Sequence, residues 1–243
     1  MLRLLVVFIH FLLLASANVE KTIFVAPPAV TLPQDAAIDN LLLEPLHPER
    51  LSVRTFFNAS FPTDDKPHGD ESWALLEGLS PRQRHELRIC WLATQPTAFQ
   101  IDTFTMAEAF ETAELIISLT TYSYARHAQL SAAEIDALKA NRFKTPGGSD
   151  RSSVLFLRVQ AAADYFSLNK TLMENVPPVH VDLILDPYLF NVFPISLLPT
   201  AGYIIVVAVS AWFISVVVYQ LMAAYIQRNE PSGAPEVEDK KTQ

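Results

Sequence analysis

Two tripeptides, Asn58-Ala59-Ser60 and Asn169-Lys170-Thr171, have the N-x-[ST] form that accepts an N-linked glycan in the secretory pathway. Phe61 and Pro62 directly after the first disfavour its use, so Asn169 is the better acceptor. A third chemical signal is the pair Lys240 and Lys241, fourth and third from the C-terminus. That placement resembles the dilysine signal by which coat proteins return type I membrane proteins to the endoplasmic reticulum (ER). No comparable set assembles for catalysis. His47, His68, His85 and His127 lack metal-ligand spacing, and Cys90 has no base partner in sequence. Asp64, Asp65 and Asp70 fall in a polar loop with Pro62 and Pro67. Arg82, Arg84, His85 and Arg88 offer donors to a lipid phosphate or an acidic partner face, the alternative being a solvated surface after Pro81. The expectation is therefore no catalytic residue, no metal and no cofactor.

These signals require a membrane plan to position them. Arg3 precedes an apolar run from Leu4 to Leu14, broken only by His10 and closed by Ala15-Ser16-Ala17, the pattern of a signal-peptidase site. Residues 1–17 read as a cleaved signal peptide, with a retained anchor as the alternative. Residues 201–225 hold no ionisable side chain but tyrosine, and match the ~20 residues a helix needs to cross ~30 Å of hydrocarbon. Tyr203 and Tyr225 stand where amphipathic rings anchor at the interfaces. No basic residue lies between Lys170 and this span, whereas Arg228, Lys240 and Lys241 follow it, so residues 226–243 are expected to be a cytosolic tail. The polar tail also excludes a GPI-attachment signal, which ends in its hydrophobic stretch.

The expected lumenal domain is residues 18–185, and residues 18–199 carry 14 basic and 22 acidic residues, which argues against nucleic acid as a natural partner. Cys90 is the chain's single cysteine, so no internal disulfide can hold the domain. Its apolar neighbours Ile89, Trp91 and Leu92 favour an inert thiol, an intermolecular disulfide being the alternative. Segments 22–25, 51–57, 87–92, 99–104, 115–124, 154–161 and 180–185 read as strands from their β-branched and aromatic content. Residues 131–140 read as a helix opened by a Ser131/Glu134 capping box, and residues 71–79 as a weaker one. Pro146, Gly147 and Gly148 mark a loop. The fold class expected is a mainly β, antiparallel sandwich-like domain with one C-terminal transmembrane helix. Residues 186–200 form an apolar juxtamembrane segment that Pro187, Pro194 and Pro199 keep from being a spanning helix. It either lies at the membrane interface, packs on another membrane protein, or is the last edge of the core.

Three stretches carry a resemblance: EKTIFVAPP at 20–28, RICWLATQPT at 88–97 and DPYLFNVFPISLLPTAGY at 186–203. Together they resemble the fungal accessory, or co-activator, subunit of GPI mannosyltransferase II. The resemblance implies a non-catalytic ER membrane protein paired with the multispanning catalytic subunit (PIG-V type). That partner adds the second mannose to the GPI precursor on the lumenal face, from dolichol-phosphate-mannose. The PIG-X type of accessory subunit, which serves the first GPI mannosyltransferase, has a similar layout, and an ER cargo or folding receptor is a further alternative. In the span, Trp212, Ser215 and Tyr219 recur at helical spacing and form a candidate stripe for contact with a partner helix.

Overall fold

The computed structural model describes residues 18–31, 38–143 and 151–229. Residues 1–17, expected to be a signal peptide, the loop residues Pro146, Gly147 and Gly148, and Lys240 and Lys241 lie outside the described residues. Two compact units divide between Ile195 and Ser196.

The first unit is built on two sheets. In the first, β1 (Val19–Val25), β6 (Arg84–Trp91) and β10 (Val179–Leu189) pair antiparallel in that order, and β4 (Ser52–Phe57) pairs with the far side of β10. In the second, β3 (Glu44–Leu46), β5 (Asp70–Leu76), β9 (Leu155–Ala163) and β7 (Thr97–Thr105) lie side by side, antiparallel except that β3 runs parallel to β5. A short ribbon joins β2 (Val30–Thr31) to β8 (Arg151–Ser152).

Strand residues alternate between faces, so each strand's sequence determines what it buries. In β10 the odd positions Val179, Val181, Leu183 and Leu185 are buried. They meet Val53, Leu87 and Ile89 of their own sheet and Leu76, Leu157 and Val159 of the other in one core. The second sheet is apolar on its other face as well. There Trp73, Leu75 and Phe156 pack against Ala109 of α1 (Met106–Glu111) and Leu115 and Leu119 of α2 (Ala113–Gln129). The domain thus has three layers, sheet on sheet on helices, and among the described residues of this unit no further layer packs on the outer face of the first sheet, where Glu86 and Asp186 are buried by their own neighbours.

Six of the seven expected strands exist as β1, β4, β6, β7, β9 and β10, and the Ser131/Glu134 capping box opens α3 (Ala132–Ala140). Two expectations are corrected. Residues 115–124 are helical, within α2, because the buried positions Leu115, Leu119 and Ser123 recur every fourth residue and place one apolar stripe on the sheet. Ile116, Ile117, Thr120 and Thr121 supplied the strand-like composition, but they fall between or beside that stripe. Residues 71–79 contain strand β5 rather than a helix. Its run Trp73 to Leu76 is continuously apolar because both faces of the strand are covered, which removes the alternation that marks an ordinary strand.

β10 continues through Asp186 and Pro187 to Leu189, so the boundary expected at residue 185 falls inside a strand. A tight turn returns the chain as β11 (Phe193–Pro194), followed by a 3-10 turn at Ile195–Leu197. The second unit is essentially α5 (Leu198–Asn229), with Pro199 in its first turn, where the missing N–H is harmless. Its 32 residues span about 48 Å at ~1.5 Å per residue, and none of its most apolar stretch is buried. It is the transmembrane helix, longer at both ends than residues 201–225.

One inward-facing residue of β6 is expected to make stability depend on pH. His85 is 2% exposed, stacks on Phe24 with ring centroids 5.6 Å apart, and contacts the Gln83 carbonyl through Nδ1 at 3.1 Å. Burial lowers its pKa, with the Gln83 contact opposing. A histidine whose folded pKa lies below its unfolded value contributes fully above the unfolded value, near ~6.5, and loses that contribution as pH falls below it. The expected result is that acidifying from neutral to pH ~5 lowers the melting temperature of the native chain more than that of His85→Phe. The gap is bounded by about 1.4 kcal/mol per pH unit. Parallel thermal melts of the two would show no difference in slope if His85 were not the group.

Candidate functional site

A polar cleft on the second sheet

The helix-covered face of the second sheet changes character along its length. Strand register sets three rows across β5, β9 and β7: Leu75, Phe156 and Phe104, then Trp73, Arg158 and Asp102, then Glu71, Gln160 and Gln100. The first row is apolar and lies in the core beneath α1 and α2. From the other two, Arg158, Glu71, Gln160 and Gln100 open into a cleft of about 820 Å³ walled by α2 and by the loop carrying His68 and Gly69.

Arg158 is the central cation, its side chain 14% exposed. It donates to Asp102 at 2.9 Å, approaches Glu71 at 3.8 Å, and lies over the Phe104 ring at 5.2 Å. Glu71 also accepts from Gln160 Nε2 at 2.7 Å and from the Ser118 hydroxyl. Ser118 in turn accepts from Trp73 Nε1 at 3.0 Å. Burial pushes the Tyr122 phenol above its ordinary pKa, with Arg126 opposing, so this wall of the cleft presents a protonated hydroxyl.

This network directs the Ser118 hydroxyl onto the Glu71 carboxylate and the Trp73 indole N–H onto Ser118. What it offers is a mixed set of hydrogen-bond donors and acceptors on a rigid sheet, the chemistry that holds a polyhydroxylated or amide-bearing ligand.

The sequence-derived residues are spread over the molecule. Asn58 is exposed at the rim of this cleft, while its sequon partner Ser60 is held in a bridge to Ala162. Asn169 is exposed and caps α4 (Lys170–Glu174), its side chain accepting from the Thr171 N–H at 3.0 Å. Asp65, His68 and Asp70 line the cleft, and Asp70 pairs with Lys66 at 2.9 Å.

The basic run does not act as one patch, because alternation along β6 separates its members. His85 points inward, Arg84 is exposed, and Arg88 bonds Asp186 at 3.3 Å. Cys90 is half-buried on the outer face of the first sheet, register-paired with Asp182, which takes a bidentate pair from Arg54 at 2.8 and 2.9 Å. Burial raises the Cys90 pKa, with Arg88 opposing and Asp182 reinforcing, so the thiol stays protonated at neutral pH.

Trp212, Ser215 and Tyr219 are exposed on α5. Among the described residues no group of three or more His, Cys, Asp or Glu side chains is placed to hold a metal ion.

Beyond one signal, nothing local in the sequence points to the cleft residues Glu71, Ser118, Arg158 and Gln160, or to Asp102, which pairs with Arg158. The available signal was Arg158 and Gln160, two polar residues two apart in an otherwise apolar strand, which places both on one face.

Fold and site define a class: a three-layer β domain with a polar cleft, joined to one transmembrane helix. No family model, curated protein or solved structure matches the chain.

Proposed function

We propose that this chain is a non-catalytic accessory subunit of the ER membrane, its β domain lumenal. In this reading it stabilises or activates the multispanning GPI mannosyltransferase that adds the second mannose to the GPI precursor. The observation that carries the reading is how the three resemblance-bearing segments come together. Residues 20–28, 88–97 and 186–203 are remote in sequence, yet they contribute to β1, β6 and β10, three hydrogen-bonded neighbours. Lys21 pairs in register with Arg88, and Arg88 bonds Asp186. The last of the segments then runs directly into α5. Scattered similarity thereby becomes one stretch of sheet continuous along the chain with a membrane anchor, which suits a subunit that docks on a membrane-embedded partner. The sequons and the basic residues after the span support the lumenal orientation, and Lys240 and Lys241 support ER residence.

A cargo or folding receptor is the second reading, favoured by the cleft and its hydrogen-bonding side chains Glu71, Gln160 and Arg158. Native co-purification of the full chain from ER membranes separates the two. Stoichiometric recovery of the second GPI mannosyltransferase, with a single-mannose GPI precursor accumulating on depletion, is the expected result. Recovery of the first-step enzyme would favour the PIG-X type, and recovery of many soluble glycoproteins would favour the receptor. Replacing α5 by an unrelated apolar helix tests the stripe of Trp212, Ser215 and Tyr219, because undiminished association would remove it from the interface.

A further inference from the structure

Between β10 and β11 the chain reverses over residues 189–192, with the Val192 N–H donating to the Leu189 carbonyl at 3.1 Å. Phe190 and Asn191 have φ of 53° and 59°, two successive left-handed residues as a type I′ hairpin turn requires. Glycine or asparagine ordinarily occupies the first central position, because a larger side chain there costs about 1–2 kcal/mol. Phe190 takes that cost and gains no burial, being 88% exposed, and Val192 is 75% exposed.

The turn is nevertheless held firmly. Asn191 Oδ1 accepts from the Arg84 N–H at 2.8 Å, and its Nδ2 donates to the Arg82 carbonyl at 3.1 Å. Gln83 Nε2 donates to the Tyr188 carbonyl at 3.0 Å. A strained, pinned turn displaying bare apolar side chains calls for a reason outside the domain core.

Two neighbouring features indicate the occupant. Arg82, in the loop that pins the turn, and Arg84, at the start of β6, are both exposed. Pro194 is followed by one 3-10 turn and then by the transmembrane helix. An apolar tip with a collar of guanidinium groups, a few residues before a span, matches the composition of segments that seat at the headgroup boundary. A protein partner is the poorer fit, since a stable interface needs about 800 Å² per side and a two-residue tip offers far less.

We propose that the β10–β11 turn is a membrane-interface anchor. Phe190 and Val192 enter the boundary between headgroups and acyl chains of the bilayer that α5 spans, and Arg82 and Arg84 meet lipid phosphates. This second attachment limits tumbling of the β domain over the bilayer.

The test uses the full chain with Cys90→Ser, reconstituted in phosphatidylcholine–phosphatidylinositol vesicles. A nitroxide is attached at Phe190→Cys or Val192→Cys, and at Leu168→Cys as a control. Leu168 is equally apolar and 93% exposed on another loop. Collision rates with oxygen, which partitions into lipid, and with a nickel chelate, which stays in water, are measured at each site. The expected oxygen-to-nickel ratio is several-fold higher at 190 and 192 than at 168. A ratio equal to the control would overturn the proposal. So would exclusion of both reagents, which would assign the tip to a protein surface. Unchanged melting temperatures establish that the labelled chains are folded.

Discussion

Glu77→Ala is expected to cost the β domain about 3–5 kcal/mol, the scale found when one member of a buried ion pair is removed. Glu77 follows β5 and is 2% exposed. Its two oxygens accept from Arg142 Nε at 3.0 and 2.8 Å, and one also accepts from the Phe143 N–H at 2.7 Å. Arg142 pairs with Asp39 too, and its side chain is 16% exposed. Removing the carboxylate leaves the guanidinium with one partner and a backbone donor with none, and the cost comes from that stranding rather than from lost attraction. The damage should reach α3, because Arg142 and Phe143 directly follow that helix and the Phe143 ring closes over Gly78. Urea unfolding of the purified chain measures the loss. A double variant, Glu77→Leu with Arg142→Met, should recover part of it, since an apolar pair needs no mutual compensation. A single variant within about 1 kcal/mol of the native chain would mean that the pair is solvated after all.

How much of this was legible in the sequence depended on whether the signal was local. The Ser131/Glu134 box acts within one turn of helix and was readable. So was the alternation of β4, where Val53 and Phe57 are buried between exposed neighbours. β5 was not readable, because its apolar run reflects helices packed on the far face of the sheet, a fact held by residues some 40 positions later. α2 carries both signals at once, the four-residue spacing of a helix and the β-branched composition of a strand, and in the folded chain the spacing prevails.

The cleft was half legible. Arg158 and Gln160 interrupt an apolar strand on one face, but Glu71, Asp102 and Ser118 reach them only through the register of three strands and the seating of a helix. Register over such separations is set by the packed core, which a reading along the chain does not supply. The prolines at 187 and 194 excluded a spanning helix correctly, yet nothing local revealed that β10 continues through the first of them.

Gly69→Ala joins this register argument to the site. Gly69 sits where the loop enters β5, at φ +76°, and a Cβ there would lie 2.0 Å from the Ala161 carbonyl oxygen and 2.7 Å from the Ala162 Cα. Both obstacles are backbone atoms of the central strand β9, which cannot rotate away as a side chain can. The expected loss is roughly 2–5 kcal/mol, combining a left-handed alanine with overpacking of a dense core. Gly202→Ala is the matching control, because a Cβ at that position in α5 meets nothing within 4 Å. It should leave stability unchanged, whereas a general intolerance of added methyl groups would affect both variants. The strain at Gly69 falls one residue before the Asp70–Ala161 pair and two before the Glu71–Gln160 pair. Relieving it must lift the start of β5 from β9, lengthening the 2.7 Å bond that holds the Glu71 carboxylate in the cleft. Hydrogen exchange should therefore rise first in the amides of residues 70–72 and 160–162, ahead of β10 and the first sheet. Uniform acceleration across both sheets would instead mean that this corner is no separate element, and that the cleft keeps its geometry until the whole domain unfolds.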